Sequence, residues 1–348
     1  MLAEEAPALV TPNEVVAAAP ASDWKEIAPE DLLVMTLAPD AQGRPRQVVI
    51  QLMPAPFSQG WVENIRTLAR AHWYDGIAIV RVQDNYVVQW GDPNGEDAVK
   101  AKPLPAGLRV MGEDEYASSL DAISEAEAVT INLGDTPTIE AALDAIANVK
   151  AASDQASKFA QASKFAQASI DATRTDAAPN GWHDRDAYAP WVEIHRGWPL
   201  AAGNDDRMWP VHCYGYVGVG RNLSPDTGTG AELYAVIGQA PRQLDRNIAV
   251  VGRVIEGIEN LSSLPRGHGE LGFYGEGEEQ LRVPILSVRL ASELPAAARP
   301  RFEYLDTDSE SFNRYLSIRA NRHDAFYFQP AGGVDVCNVT VPVRRIAD

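Results

Sequence analysis

The chain has 348 residues, of which 45% are hydrophobic, and this length is enough for one large domain or for two to three ordinary ones. Its formal net charge of −18 excludes nucleic acid as a favoured partner, because a strongly acidic surface repels phosphate backbones. No run of about 18 apolar residues occurs, so the sequence predicts no membrane span.

The N-terminal region, residues 1–30, is rich in Ala, Pro and Glu, which predicts a flexible extension. It has neither the basic segment nor the apolar segment of a signal peptide. Two interpretations stay open: the protein is cytosolic, or it is the mature form of an exported chain whose signal has been removed. We expect the second, which would place the protein in the periplasm or outside the cell.

Two strands, a helix and two further strands are predicted next. The runs "DLLVMTLAP" and "RQVVIQLMP" indicate strands on either side of the turn "DAQGRP". The helix follows in "SQGWVENIRTLARAHWYDG", where Ser58 is in position to cap the N-terminus and Val62, Ile65 and Leu68 keep helical spacing. The runs "IAIVRV" and "NYVVQW" indicate the second pair of strands.

The strand pattern then stops, which predicts a helical and irregular insertion over residues 95–210. No Pro or Gly occurs from Thr138 to Ala178, so we expect helix near 138–170. This stretch includes the tandem hexapeptide "SKFAQASKFAQA", for which the sequence suggests no function.

Strand character returns behind the insertion, in runs such as "HCYGYVGVG" and "NIAVVGRV". The last part of the chain is expected to hold a helix near 307–321 and a final strand in "VCNVTVPVRR". The predicted organisation is therefore a flexible N-terminal extension (1–30), a β-rich body in two pieces (31–94 and 211–292), the insertion between them (95–210) and a C-terminal extension (293–348).

The only two cysteines, Cys213 and Cys337, are too few for a disulfide framework or for a zinc site built on cysteines. They permit one disulfide in an oxidising compartment, and two buried free thiols are the alternative. The acidic, Gly-rich run 267–280 lacks the Asp/Asn ladder of a calcium loop, and no dinucleotide fingerprint occurs. The sequence therefore predicts neither a metal nor a cofactor.

A set of ordered motifs suggests a fold and an activity. They are "VEN", "WYDG" and "RVQDNYVVQWGD" before the insertion, and "GYVGVGR", "GTGAELYAVIG", "QLD" and "VVGRVIEGIE" after it. This set resembles the cyclophilins, the cyclophilin-type peptidyl-prolyl cis-trans isomerases, and the spacing from Arg81 through Tyr86 and Gln89 to Asp92 matches without a gap. The resemblance implies a mainly β fold, an eight-stranded antiparallel barrel capped by two helices, to which the helical insertion is added.

The resemblance also implies a site in a shallow groove on the outside of the barrel. Arg81 becomes the catalytic residue, and Gln89 becomes the amide that holds the substrate backbone. The other substrate-binding positions that the resemblance implies are Tyr86, Val87, Gly220, Arg221, Tyr234, Leu244 and Ile248. The implied partners are proline-containing peptides or client proteins, and the implied role is to assist the folding of exported proteins.

The chemistry of this reaction explains why one arginine and one amide would lie among apolar residues. Rotation about a peptide bond crosses a barrier of roughly 18–20 kcal/mol, because resonance gives the C–N bond partial double-bond character. A donor directed at the proline nitrogen favours its non-conjugated form. Arginine suits this role because it stays charged and holds its donors in a rigid fork.

Several positions depart from the pattern of the family. Ile79 and Val80 replace a Phe-His pair, Trp90 replaces a Gly, Tyr234 a Phe, Gln243 a Trp or His, and Ile248 a His. Because these changes alter the pocket for the proline ring, an alternative stays open. In that alternative the chain is a catalytically weak or inactive cyclophilin-like module that serves in binding or assembly.

Overall fold

The computed structural model describes residues 10–119, residue 122 and residues 186–347 other than 323 and 325. The helix expected near 138–170 and the hexapeptide repeat lie outside the described residues. No helix within the described part of the chain is long and apolar enough to cross a membrane.

The described residues contain fifteen strands and four α-helices. The strands are β1 (Trp24–Glu26), β2 (Leu32–Leu37), β3 (Arg46–Leu52), β4 (Ala78–Val82), β5 (Val87–Gly91), β6 (Ser118–Ser119), β7 (Trp191–His195), β8 (Trp198–Ala202), β9 (Arg207–Pro210), β10 (Tyr216–Val219), β11 (Leu233–Val236), β12 (Val250–Glu256), β13 (Ile285–Leu290), β14 (Phe302–Leu305) and β15 (Val343–Arg345). The helices are α1 (Pro12–Ala18), α2 (Gln59–Arg70), α3 (Glu259–Ser262) and α4 (Glu310–Ala320).

Eight of these strands form one antiparallel barrel, in the order β13-β2-β3-β12-β10-β11-β5-β4. Its two outer strands, β4 and β13, meet through the residues at their ends. The backbone N–H of Ile79 donates to the carbonyl of Val283 (2.9 Å), and the N–H of Ile285 donates to that of Ile77 (2.8 Å). These bonds nearly close the barrel and confirm the predicted fold, in which closure removes the exposed edges of the sheet.

The predicted helix after β3 is α2, which packs against β12 and β13. Its residues Val62, Ile65 and Leu68 are fully buried, as their helical spacing predicted. Ser58 stands at the N-cap position but has a positive φ of 55° and makes no side-chain capping bond, so the expectation of a serine cap was wrong. The second capping helix, α3, is a single turn that contacts β3.

The start of the predicted insertion belongs to the barrel unit. The side chain of the buried Asn64 donates to the carbonyls of Arg109 (2.9 Å) and Thr229 (3.0 Å), and it accepts from the N–H of Arg109 (2.8 Å). Tyr116 stacks on Trp61 with ring centroids 5.3 Å apart. The segment after β5 therefore covers α2, and a boundary at residue 95 cuts through this packing.

Outside the barrel, a second compact unit holds described residues from 10–26, 186–206 and 302–347. Here β1 and β15 pair with the two edges of β14, β7 pairs with β8, and α1 packs against α4. The sequence predicted a flexible extension over residues 1–30, whereas its described part, residues 10–30, contains a helix and a strand. A capping box starts α1, because Thr11 and Glu14 each bond the backbone N–H of the other. The helix expected near 307–321 is α4.

Both cysteines of the chain, Cys213 and Cys337, are disulfide-bonded. No described cysteine is free. The oxidised state agrees with the single bridge that two cysteines permit.

Candidate active site

A groove of about 460 Å³ runs over the outside of the barrel, across β4, β5 and β11 and the residues that follow β10. It brings together all nine positions expected from the sequence, namely Arg81, Tyr86, Val87, Gln89, Gly220, Arg221, Tyr234, Leu244 and Ile248. A smaller hollow of about 300 Å³ adjoins it and shares residues 220–222 and Glu232 with it.

Arg81 and Gln89 lie side by side because their strands are neighbours. The two residues are partners in the β4–β5 register, so their side chains leave the same face of the sheet. The guanidinium Nη1–H of Arg81 donates to the amide Oε1 of Gln89 over 3.1 Å. Gln89 is only 7% exposed, whereas Arg81 reaches into the groove.

The guanidinium of Arg81 is held from several sides. Its Nε–H donates to the carbonyl of Leu271 (2.7 Å), and its Nη2 donates to the side-chain oxygen of Gln83. The rings of Tyr86 and Phe273 lie 5.6 and 5.3 Å from the guanidinium carbon, within the range of a cation–π contact. These contacts, with the bond to Gln89, orient Arg81 before any ligand arrives and leave part of its fork of five donors for a ligand.

Burial lowers the pKa of Arg81 from its ordinary value, and Tyr86, Tyr234 and Glu232 oppose this effect. The group nevertheless stays charged, since arginine is not deprotonated in proteins. A partly desolvated cation beside an apolar pocket interacts more strongly with a ligand than the same cation in water, because the local dielectric is lower.

The apolar side of the groove is a cluster around Tyr234. Val87, Tyr234 and Val236 are its buried members, and Tyr86, Leu244 and Ile248 pack against them. A proline ring needs a small apolar surface next to a directed donor, and this cluster provides that surface beside Arg81.

A series of buried hydrogen bonds holds the hydroxyl of Tyr234 in place. Its hydroxyl lies 2.9 Å from Nε2 of His212, whose Nδ1 lies 3.0 Å from Asp245, and Asp245 accepts a bond of 2.6 Å from Arg242. Gly218 makes room for this hydroxyl, because a Cβ at Gly218 would lie 2.3 Å from it. The surroundings of Tyr234 therefore provide both space and a hydrogen-bond partner for the hydroxyl that the Phe of the family lacks.

Comparison with known proteins decides the family. The profile of the family described as cyclophilin-type peptidyl-prolyl cis-trans isomerase/CLD matches residues 45–289, more than half of the chain. The chain is a cyclophilin. As a member of this family of isomerases, it has the enzyme class that the ordered motifs predicted.

A solved structure shows the same fold. The crystal structure of the cyclophilin AquaCyp293 from Hirschia baltica has 18% sequence identity to the chain, covers 97% of both chains and superposes with a TM-score of 0.57. A cyclophilin-type peptidyl-prolyl cis-trans isomerase from Cryptosporidium parvum has 10% identity, covers 74% of this chain and 97% of its own, and has a TM-score of 0.36. No curated protein matches the chain.

Two parts of this cyclophilin's groove were not expected from the sequence. The acidic, Gly-rich run near 267–280, weighed above as a calcium loop, instead lies along β4, where the N–H of Gly267 donates to Val82 (3.0 Å) and that of Tyr274 to Val80 (3.1 Å). It brings Leu271 and Phe273 to Arg81. The second part is Glu232, which accepts a bond of 3.0 Å from Nε2 of Gln89.

The position of Glu232, directly before β11 and opposite β5, was the one signal that could have indicated its role.

Among the described residues, no group of His, Cys, Asp and Glu side chains is arranged to hold a metal ion.

Proposed function

We propose that this cyclophilin catalyses cis-trans isomerisation of X-Pro bonds in the groove, with Arg81 as the catalytic residue. The observation that carries the proposal is the register pair Arg81–Gln89, hydrogen-bonded at the edge of an apolar cluster. A proline ring bound against Tyr234 and Leu244 would place its peptide nitrogen within reach of the guanidinium.

The proposed mechanism is electrostatic. As the X-Pro bond twists, the nitrogen loses its conjugation and its lone pair becomes an acceptor, which a guanidinium N–H stabilises. This interaction is stronger in the twisted transition state than in either planar ground state, so it accelerates the reaction rather than merely tightening binding. Gln89 supports the same step, because its amide N–H can hold the backbone carbonyl next to the proline.

A weak or inactive binding module is the second candidate. The altered residues around the pocket favour it, above all Ile248, which replaces a polar histidine with an apolar side chain. The orientation of Arg81 by Leu271, Gln83 and Gln89 favours the isomerase instead, since a binding surface does not require a preorganised cation.

We also propose that the clients are exported proteins whose folding the isomerase assists, and that the protein works in the periplasm or outside the cell. The oxidised state of Cys213 and Cys337 supports an oxidising compartment. Slow X-Pro isomerisation limits the folding of many chains, so an isomerase there would have substrates. Fractionation of cells that express the full gene tests this: the protein should appear outside the cytosol.

An isomerase assay on proline-containing tetrapeptides separates the two candidate functions. Cis-trans exchange, followed by NMR or by a coupled protease, should be faster with the protein than in buffer. Peptide binding without any increase in the exchange rate would instead support the binding module.

A further inference from the structure

We propose that Glu232 is a positioning residue that holds the amide of Gln89 in the orientation needed for substrate, and that its ionised form does this best. The inference rests on the proposed isomerase function, because it assigns Gln89 a substrate to bind. Glu232 itself would act through Gln89 and not on the reacting bond.

The hydrogen bonds around Gln89 permit only one orientation of its amide. Arginine can only donate and an ionised carboxylate can only accept. The amide oxygen must therefore face Arg81, and the amide nitrogen must face Glu232. The nitrogen carries a second hydrogen, which this orientation leaves for a substrate carbonyl.

The barrel provides a slot for the side chain of Glu232. A Cβ at Gly91 would lie 2.7 Å from Cγ of Glu232, and a Cβ at Gly220 would lie 2.8 Å from its Cβ and 2.9 Å from its Oε2. Real Cβ atoms essentially never make contacts this short, so the two glycines, Gly91 at the end of β5 and Gly220 directly after β10, leave the space that the side chain fills. The backbone also fixes this position, because the N–H of Gly220 donates to the carbonyl of Glu232 over 2.9 Å.

The charge on Glu232 depends on groups from each element around it. Burial raises the pKa of Glu232, and the carboxylates of Glu96 and Asp92, which follow β5, raise it further. The bond from Gln89 on β5 and the cation of Arg81 on β4 lower it. Of the remaining titratable or charged side chains that line the groove, Tyr234 lies on β11, Arg221 follows β10, and Tyr86, Tyr274 and Arg282 lie in loops.

Since the net direction is upward, Glu232 takes up a proton at a higher pH than an ordinary glutamate. A protonated Glu232 holds the amide nitrogen less strongly, because charge-assisted bonds are roughly twice as strong as neutral ones. Its new O–H can also donate to the amide oxygen of Gln89, which would allow the amide to turn. We therefore expect substrate binding to weaken as the pH falls through the pKa of Glu232.

The test compares kcat and KM on a proline tetrapeptide as a function of pH. Glu232→Ala should raise KM by on the order of tenfold at neutral pH, the worth of one hydrogen bond to a charged group, and should change kcat less. Glu232→Gln keeps an acceptor without the charge, so its KM should lie between those of the wild type and Glu232→Ala and should not vary with pH. The KM of the wild type should rise toward that of Glu232→Gln in acid.

A double-mutant cycle distinguishes positioning from a structural role. In a Gln89→Ala background, Glu232→Ala should have no further effect on KM, because the group through which it acts is gone. Glu259→Gln, which removes the same charge from an exposed site on α3, is the control and should leave the pH profile unchanged. Additive effects in the cycle, or an acid limb that persists in Glu232→Gln, would overturn the proposal.

A second readout keeps the proposal separate from the proposed function. The side-chain amide resonances of Gln89, observed by ¹⁵N NMR, should titrate in the wild type and stay constant in Glu232→Gln. If the wild type does not accelerate exchange, the isomerase function fails, and this titration still decides whether Glu232 controls Gln89. Amide resonances that do not change with pH in the wild type would contradict the inference.

Discussion

At the scale of single residues, the hydrogen bonds of each polar side chain determine the geometry of the site. Arg81 and Gln89 are eight residues apart on adjacent strands, so their contact could be predicted from the interval alone. Glu232 and Leu271 could not, because they lie 143 and 190 residues away from the groups that they bond. Only the closed barrel brings such distant segments to one groove.

Tyr234 leads to a prediction about stability. Tyr234→Phe removes the hydroxyl that bonds buried His212, and such a loss should lower the free energy of unfolding by about 1–3 kcal/mol. Chemical denaturation measures the change. Tyr214→Phe, at a tyrosine that is 50% exposed, is the control and should change the stability little. An equal stability for Tyr234→Phe and the wild type would show that the hydrogen bond between Tyr234 and His212 does not stabilise the fold.

At the scale of elements, the strands of the barrel followed from their apolar runs, whereas the loop over Arg81 did not. The run near 267–280 is acidic and rich in glycine, a composition typical of solvent-exposed turns, and it has no strand periodicity. Gly272 fixes the position of this loop against β4. It has a φ of 80°, and a Cβ at this position would lie 2.8 Å from Gln83. A loop that is fixed by close backbone approach leaves no periodic pattern in the sequence.

Glu278 makes this loop sensitive to acid. Bonds from the side chain of His268 and from the backbone N–H groups of Gly275 and His268 lower the pKa of Glu278 from 4.5 to about 2. Because this pKa lies below the ordinary value, the contribution to stability is complete above pH 4.5 and is lost as the pH falls toward 2.

The amide resonance of Gly275, which donates to Glu278 over 2.9 Å, reports this titration by NMR. We expect a midpoint near 2 in the wild type and no such transition in Glu278→Gln. Glu276→Gln, an exposed neighbour in the same loop, should keep the transition of the wild type. A midpoint for Gly275 near 4.5 would mean that the bonds to Glu278 do not persist in solution.

At the scale of the whole molecule, the division into units was the hardest feature to predict. The sequence suggested a barrel with two tails and an insertion. The structure instead puts β1, β14 and β15 into one sheet of the second unit. Strands of three or four residues carry no periodicity, and β1 and β14 are separated by most of the chain, so no local signal predicts their pairing.

The disulfide gives a test at this scale. The denatured, unreduced chain should show no reactive thiol, and reduction should release two. The sequence predicts that the bridge joins Cys213 to Cys337, and such a bridge would close a loop of more than a hundred residues. Chain-entropy models give roughly 4–5 kcal/mol of stability for a loop of this size, so reduction should also lower the midpoint of unfolding. Two reactive thiols before reduction would rule out the bridge.

The proposed role of Arg81 in isomerisation is tested by kcat/KM of Arg81→Ala on a proline tetrapeptide. We expect a loss on the order of 10²–10³-fold, as when one preorganised donor is removed from other active sites. Arg81→Lys, which keeps the charge but loses the planar fork, should lose less, and Arg44→Ala, at an exposed surface pair, should lose nothing. The melting temperature, measured on the same preparations, corrects for any unfolded fraction. Full activity per folded molecule in Arg81→Ala would show that Arg81 is not the catalytic residue.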